Sequence, residues 1–341
     1  MFLILLFYYF IIINTTPVSI RKTFRHYIQK EAWRTHEMNE LLPILSSIEI
    51  ACADINRLIR RVNINNLVGI QNYINIQGEE QQKLDKISNI IMKNAICCSG
   101  KVYSIISEEE TEFCKCSTIT DNNAFNGEYI VVFDPLDGSS NINCCLPTGT
   151  IFGIYKRDKF NLNHDSCLKG SKLILSGYCL YSSSTNLVIC HSNQINMFMF
   201  DDTYNQFILS NENVKIPDKG NIISFNEANY NSWNDNIKSY ITNTKNKGYT
   251  SRYMGALVAD THNILINGGI FGYPSDNKNK NGKIRMLYEA SPISHIIETA
   301  GGIATNGTTN ILQIPINNIH GRTPFFFGSK EDISILENYL Q

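Results

Sequence analysis

The residues that could do chemistry concentrate between Glu128 and Tyr155. The chain there reads Glu-Tyr-Ile-Val-Val-Phe-Asp-Pro-Leu-Asp-Gly-Ser-Ser-Asn-Ile-Asn and resumes at Gly149 as Gly-Thr-Ile-Phe-Gly-Ile-Tyr. An apolar β-type run, Tyr129 to Phe133, delivers two carboxylates three positions apart, Asp134 and Asp137. Pro135 fixes the turn between them, and Gly138 lets the backbone turn sharply. Ser139, Ser140 and Asn141 follow, with amide N–H groups and hydroxyls available to an anion. Hard oxygen ligands beside an anion cradle are what Mg²⁺-assisted phosphate chemistry requires. The plain alternative is a polar turn whose Asp side chains cap the next helix. Against it, neighbouring carboxylates repel one another unless a cation neutralises them.

Three further polar clusters stand apart in the chain. Ser107-Glu108-Glu109-Glu110 follows the apolar run Val102–Ile106, and alone would read as a charged loop after a strand. Gly78-Glu79-Glu80-Gln81-Gln82-Lys83-Leu84-Asp85 is a second. In the third, Gly282 to Glu289, Lys283 and Arg285 alternate with apolar residues, which predicts a strand with both cations on one face and Glu289 at its end. Ser291 and Pro292 then open a helix as N-cap and first helical residue, and Gly301-Gly302 closes it.

With these motifs together, the chain resembles the class I fructose-1,6-bisphosphatases, within the Mg²⁺-dependent, lithium-sensitive phosphomonoesterases. The resemblance runs from about Arg21 to the C-terminus. It rests on Gln77–Asn89, Ser107–Glu109, Phe133–Asn141, Gly149–Tyr155, Arg252–Pro274, Gly282–Glu289 and Ala300–Gly307. It implies an α/β (α+β) fold, a five-layered αβαβα sandwich of the sugar phosphatase type. It implies an activity too, hydrolysis of the 1-phosphate of fructose 1,6-bisphosphate in carbohydrate metabolism. Glu108, Asp134, Asp137 and Glu289 match the metal carboxylates, with the Leu136 carbonyl and Glu79 as further oxygen ligands. Glu109 and Asp85 match the residues that prepare the attacking water. Gly138, Ser139 and Ser140, beside Asp137, match the loop that holds the 1-phosphate. Asn226, Tyr253, Tyr273 and Lys283 match ligands of the sugar and 6-phosphate, and Arg252 matches an arginine that reaches a neighbouring subunit's 6-phosphate. Two or three Mg²⁺ per subunit are implied, with Mn²⁺ or Zn²⁺ as alternatives, and a homotetramer.

The physics of the residues agrees with such roles. A phosphomonoester carries close to two negative charges at neutral pH. Lys283 offers a point charge to a distal phosphate, whereas an arginine such as Arg252 can grip one bidentately. Sedoheptulose-1,7-bisphosphatase is the neighbouring reading, though Asn141 and the Gly282–Glu289 motif look more like the fructose enzyme. A catalytically degraded, sugar-phosphate-binding regulatory homologue is a reading from another class.

Several positions depart from the family pattern. Glu79 stands where the family usually has Asp, and Asn143 replaces an Asp. Many members are inhibited by AMP at a site near the N-terminal helices, which the resemblance places at Thr35, Glu37 and Tyr129. Here the Thr-Gly-Glu turn of that site reads Thr35-His36-Glu37, the Lys-Tyr pair reads Glu128-Tyr129, and an Arg reads Lys156. A carboxylate in place of an ammonium turns attraction for a phosphate into repulsion. Each sign is worth roughly 4 kcal/mol at about 4 Å and an effective dielectric of about 20, before screening.

The chain has 341 residues and a formal net charge of −1, so nothing points to a nucleic-acid partner. Ten cysteines are scattered, with adjacent pairs at Cys97-Cys98 and Cys144-Cys145, and no spacing suits zinc. They read as free thiols in a reducing, cytoplasmic setting, and Cys114 and Cys116 as unrelated loop thiols. His262 and His295 read as satisfied structural residues. Residues 2–13 form an apolar run too short for an ordinary transmembrane helix, which predicts no stable membrane span. A plastid or secretory leader, a membrane-associating tail and a misassigned start are the alternatives for residues 1–20. The expected organisation is this extension, an N-terminal half over 21–210 with the metal site and AMP-type region, and a C-terminal half over 211–341 with the sugar site. Helical spacing runs from Leu41 to Val62, with Pro43 near its start, and Gly255–Ile266 reads as a second helix.

Overall fold

The computed structural model describes residues 21–62, 64, 70–74, 80–120, 127–157 and 168–340, with backbone alone at 70–74 and 80–82. Glu79, Cys167 and the apolar run at 2–13 lie outside the described residues. Among the described residues, no helix is long and apolar enough to cross a membrane.

In chain order the elements begin with α1 (Phe24–Arg34), α2 (His36–Ile59), β1 (Ile70–Ile74), β2 (Glu80–Gln82) and α3 (Lys83–Cys98). Next come β3 (Val102–Ser107), β4 (Cys114–Lys115), α4 (Cys116–Ile119), β5 (Tyr129–Asp137), β6 (Thr148–Lys156), β7 (Leu173–Tyr181), β8 (Thr185–His191), β9 (Gln194–Asp201) and β10 (Gln206–Asn211). These strands from β3 onward form an eight-stranded sheet of order β10-β9-β8-β7-β6-β5-β3-β4. Its pairings are antiparallel except for β3 with β5. All nine residues of β5 are buried, because helices cover both faces, so the strand reads as a continuous apolar run rather than an alternation.

The second part contains β11 (Ile222–Phe225), α5 (Asp235–Asn246), β12 (Thr250–Ser251), α6 (Leu257–Asn267), β13 (Ile270–Tyr273), β14 (Ile284–Arg285), α7 (Ser291–Thr299), β15 (Ile303–Thr305), β16 (Arg322–Thr323), β17 (Phe325–Gly328) and α8 (Lys330–Leu340). A five-stranded sheet of order β12-β11-β13-β17-β15 results.

Three apolar cores define the layers. On one face of the larger sheet, Phe133 and Phe152 pack with Phe24, Leu45, Ile48 and Met92 from α1, α2 and α3. On the other face, Val132 and Ile151 pack with Val258 and Ile293 from α6 and α7, and these meet Phe271 and Phe327 of the smaller sheet. The far side of the smaller sheet buries Ile223, Phe225 and Phe326 against Trp233, Ile237 and Ile333. The result is the expected αβαβα sandwich, with helices 257–267 and 291–299 as its middle layer.

Several local expectations are corrected. α2 starts at His36, with the Thr35 side chain accepting the Met38 N–H at 3.2 Å, so Pro43 lies inside the helix rather than near its start. α1 was not visible in the periodicity, because only Phe24, Ile28 and Ala32 of its residues are buried. The segment 282–289 is a strand only at Ile284–Arg285, and Met286–Ala290 forms a π-helical turn that leads straight into α7. Ser291 therefore does not cap α7; its hydroxyl donates back to the Met286 carbonyl at 2.7 Å. The turn arises where Glu289 Oε2 accepts the Arg285 N–H at 2.5 Å, drawing the chain out of the extended form.

The cysteines are not all free. Cys97, at the end of α3, is bonded to Cys116 at the start of α4, and both are buried. A pairing across two elements has no signature in spacing alone. His262 and His295 are half-buried structural residues, hydrogen-bonded to Tyr178 and Ser176. Closing a loop of 19 residues restricts the unfolded chain by about 3 kcal/mol in the chain-entropy account. The double variant Cys97→Ser, Cys116→Ser is therefore expected to melt several degrees below wild type without reductant. Equal melting temperatures would show that the bridge adds no stability.

Candidate active site

In a regular strand, positions three apart point to opposite faces. Asp134 and Asp137 nonetheless line one cavity of about 450 Å³. The register explains this. Asp134 lies opposite Ile151 and Asp137 opposite Gly149, so one extra residue is accommodated on β5 at Pro135–Leu136. The bulge is held by the Leu136 N–H donating to Asp134 Oδ1 at 3.0 Å and by the Thr150 hydroxyl donating to the Pro135 carbonyl at 2.9 Å. Gly138 follows with φ +73°, and a Cβ there would meet Ala256 Cβ at 2.5 Å, so only glycine fits. The chain then enters the 3₁₀ turn Ser139–Cys144, which puts Gly138, Ser139 and Ser140 on the cavity wall.

The other carboxylates arrive from three elements. Glu108 and Glu109 follow β3, Asp85 lies in the first turn of α3, and Glu289 sits in the π turn; all line the same cavity. The loop after β3 is fastened to α3. Ser107 Oγ donates to Asn89 Oδ1 at 2.8 Å, Asn89 Nδ2 donates to Glu110 at 2.8 Å, and Lys93 pairs with Glu110 at 2.5 Å. One oxygen from each of Glu108, Asp134 and Glu289 lies within 4.8 Å of the others. Asp137 is anchored separately: its Oδ2 accepts the Val258 N–H at 2.7 Å, at the positive end of the α6 dipole.

The electrostatics of this cluster suits a cation. Burial pushes Asp134 well above the usual carboxylate range, and the charges of Glu108, Asp137 and Glu289 push it further. Burial likewise raises Asp137 to about 7, although the Val258 N–H pulls it down. The side chain of Arg285 is the resident counter-charge, 2.7 Å from Glu108 and 3.8 Å from Glu289. Arg285 was recognised in the sequence only as a strand-face cation; the pairing with both glutamates depends on the turn at 286–290. One guanidinium cannot balance four buried carboxylates. An all-oxygen donor set without His or Cys suits a hard divalent ion.

Tyr253, Tyr273 and Lys283 line the same cavity. Asn226 lies outside the cavity lining, where its side chain accepts the Ala228 N–H and also hydrogen-bonds Tyr253. Arg252 is exposed and does not line the cavity. Asp260 was not singled out by the sequence, yet it is fully buried, lines the cavity, and is pushed up to about 7 by burial. Asp260 is the one acid in the stretch Leu257–Ile266, and that was the available signal.

At the AMP-type region, Thr35 caps α2 and Glu37 lies 3.2 Å from His191 Nε2. Burial, then the charges of Glu40, Glu37 and Glu128, push the Tyr129 phenol up to about 12. Lys101 is paired with Glu40 at 2.8 Å. Three carboxylates around the phenol oppose a nucleotide phosphate. AMP at micromolar concentration is expected to leave phosphate release unchanged; inhibition in a titration over that range would contradict this.

Comparisons with known proteins agree with this architecture. The family "Fructose-1-6-bisphosphatase, N-terminal domain" matches residues 22–212, and "Fructose-1-6-bisphosphatase, C-terminal domain" matches 216–341. The chain is 43% identical over 323 residues to the chloroplastic fructose-1,6-bisphosphatase 1 of Arabidopsis thaliana, covering 88% of this chain and 76% of that one. It is 43% identical over 324 residues to the chloroplastic fructose-1,6-bisphosphatase of Spinacia oleracea, covering 88% and 77%. The crystal structure of Leishmania major fructose-1,6-bisphosphatase in holo form superposes with a TM-score of 0.88 at 35% identity, over 94% of this chain and 99% of that one. Two family domains matched in sequence order, over an αβαβα sandwich with a buried carboxylate cluster, lead to one conclusion: the chain belongs to the fructose-1,6-bisphosphatase family.

Proposed function

We propose that this chain hydrolyses the 1-phosphate of fructose 1,6-bisphosphate to fructose 6-phosphate and inorganic phosphate, with Mg²⁺ as its cofactor. One observation carries the reading. The buried cluster of Glu108, Asp134, Asp137 and Glu289 shares its cavity with the Gly138–Ser140 turn and with Lys283. A ligand with an anionic group at each end suits such a cavity.

Glu108, Asp134, Asp137 and Glu289 would hold the cation, with the Leu136 carbonyl and, on resemblance, Glu79 as further ligands. When bound, a divalent cation neutralises phosphoryl oxygens and acidifies the attacking water. Gly138, Ser139 and Ser140 orient the 1-phosphate by N–H and O–H donation. Glu109 and Asp85 accept the proton of the attacking water and aim its oxygen at phosphorus. Lys283, Tyr253, Tyr273 and Asn226 hold the sugar and distal phosphate, so remote binding positions the reacting end. The exposed Arg252 fits a role toward a neighbouring subunit in a homotetramer, and the sugar site then falls to the half beginning near residue 211. The chloroplastic names of the plant relatives support a plastid leader at residues 1–20 over a cytoplasmic start.

The relatives' names do not favour the sedoheptulose reading, and the intact carboxylate cluster argues against a degraded homologue. Turnover of fructose 1,6-bisphosphate and sedoheptulose 1,7-bisphosphate under the same conditions, with the product identified, tests the choice. Fructose 6-phosphate as product and a preference for the fructose substrate are expected. Preference for the sedoheptulose substrate would overturn the reading.

A further inference from the structure

The loop from Arg252 to Ala256 is held by its middle residue. The Met254 N–H donates to the Asp260 carboxylate, at 3.1 Å to Oδ1 and 3.2 Å to Oδ2. The Met254 carbonyl accepts from Asn141 Nδ2 at 2.9 Å. That same nitrogen also donates to the Pro147 carbonyl at 2.9 Å, so it spans the 3₁₀ turn behind Ser139 and Ser140. Asp260 in turn accepts the Ser224 hydroxyl at 2.6 Å, two residues before Asn226 on the same strand end. Cradle and loop also touch directly, because Gly138 leaves no room for a side chain against Ala256.

Two groups that would hold the substrate therefore meet at one residue, Met254. On one side is the cradle at 138–140, for the phosphate that leaves. On the other are Tyr253, next to the clamped Met254, and Asn226, next in space to Tyr253. We propose that the Asn141–Met254–Asp260 clamp is a ruler: it sets the span between the two phosphate grips and so selects substrates by the distance between their phosphates. The inference rests on the bisphosphate reading of the site. Asn141 and Asp260 are positioning residues that act through the loop. A ligand with two anionic ends gains from the second grip only when its span matches the distance between them. Loosening the loop removes that gain for the matched substrate and lowers the penalty on a longer one.

The test compares Asn141→Ala and Asp260→Asn with wild type on fructose 1,6-bisphosphate and the one-carbon-longer sedoheptulose 1,7-bisphosphate. The expected result is a shift of about tenfold in the ratio of the two kcat/KM values toward the longer substrate. It should arise from a raised KM for the fructose substrate, with kcat changed less. Asn141 is only half buried, so Asn141→Ala decides the matter if Asp260→Asn does not fold. An active wild type with the ratio unchanged in the folded variants, both substrates losing equally, would overturn the ruler alone. A wild type inert on both sugars would overturn the functional reading and the ruler with it.

Discussion

Replacing Asp137 by alanine is expected to slow phosphate release at least about a thousandfold, the effect of losing several kcal/mol of transition-state stabilisation. Asp137 ends the bulged strand, lines the cavity beside the cradle, and is oriented by the Val258 N–H at 2.7 Å. The fold should survive, because the lost carboxylate is one that burial already disfavours in its ionised form. Far-UV circular dichroism, and the melting temperature in EDTA near pH 5 where Asp137 is protonated, should therefore stay close to wild type while the rate collapses. Turnover near the wild-type rate in Asp137→Ala would contradict its assignment to the cation.

The second large effect concerns cation and pH together. Without a cation, Asp137 titrates at about 7 in the folded chain against a reference of 3.8, and Asp260 does the same. Their folded values are raised, so the native state holds protons more tightly than the unfolded chain. The stability they contribute is complete below about 4 and is lost as pH rises through about 7. A shift of this size on one isolated group corresponds to roughly 4 kcal/mol. The melting temperature of the protein in EDTA should accordingly fall between pH 5 and 8. Mg²⁺ should raise it more at the upper end, where Asp137 is ionised and attracts the ion. Asp137→Ala should flatten the dependence in EDTA. A melting temperature in EDTA that rises over this range would contradict the account.

What could be read from the sequence was what lies contiguous in it. The turn Asp134-Pro-Leu-Asp-Gly-Ser-Ser140 keeps its ligands within a few residues, and their types state the chemistry. Apolar runs such as Tyr129–Phe133 identified strands because burial on both faces leaves no polar alternation. The layer order came with the family resemblance; no periodicity contains it. Other features depend on distances that only the folded chain defines. Asp134 and Asp137 converge because of a bulge visible only in the register with β6. Arg285 reaches Glu108 and Glu289 because a π turn replaces the expected strand. Cys97 meets Cys116 because α3 ends where α4 begins. Asp260 is by sequence only one acid in its helix, and only the fold shows its carboxylate accepting the Met254 N–H.

The most direct measurement is phosphate release from fructose 1,6-bisphosphate by protein lacking residues 1–20, first with Mg²⁺ and then with excess EDTA. Release that yields fructose 6-phosphate with Mg²⁺ and stops in EDTA is the expected result. No release by folded protein with Mg²⁺, or release undiminished in EDTA, would contradict the assignment of the carboxylate cluster to a cation-dependent bisphosphatase.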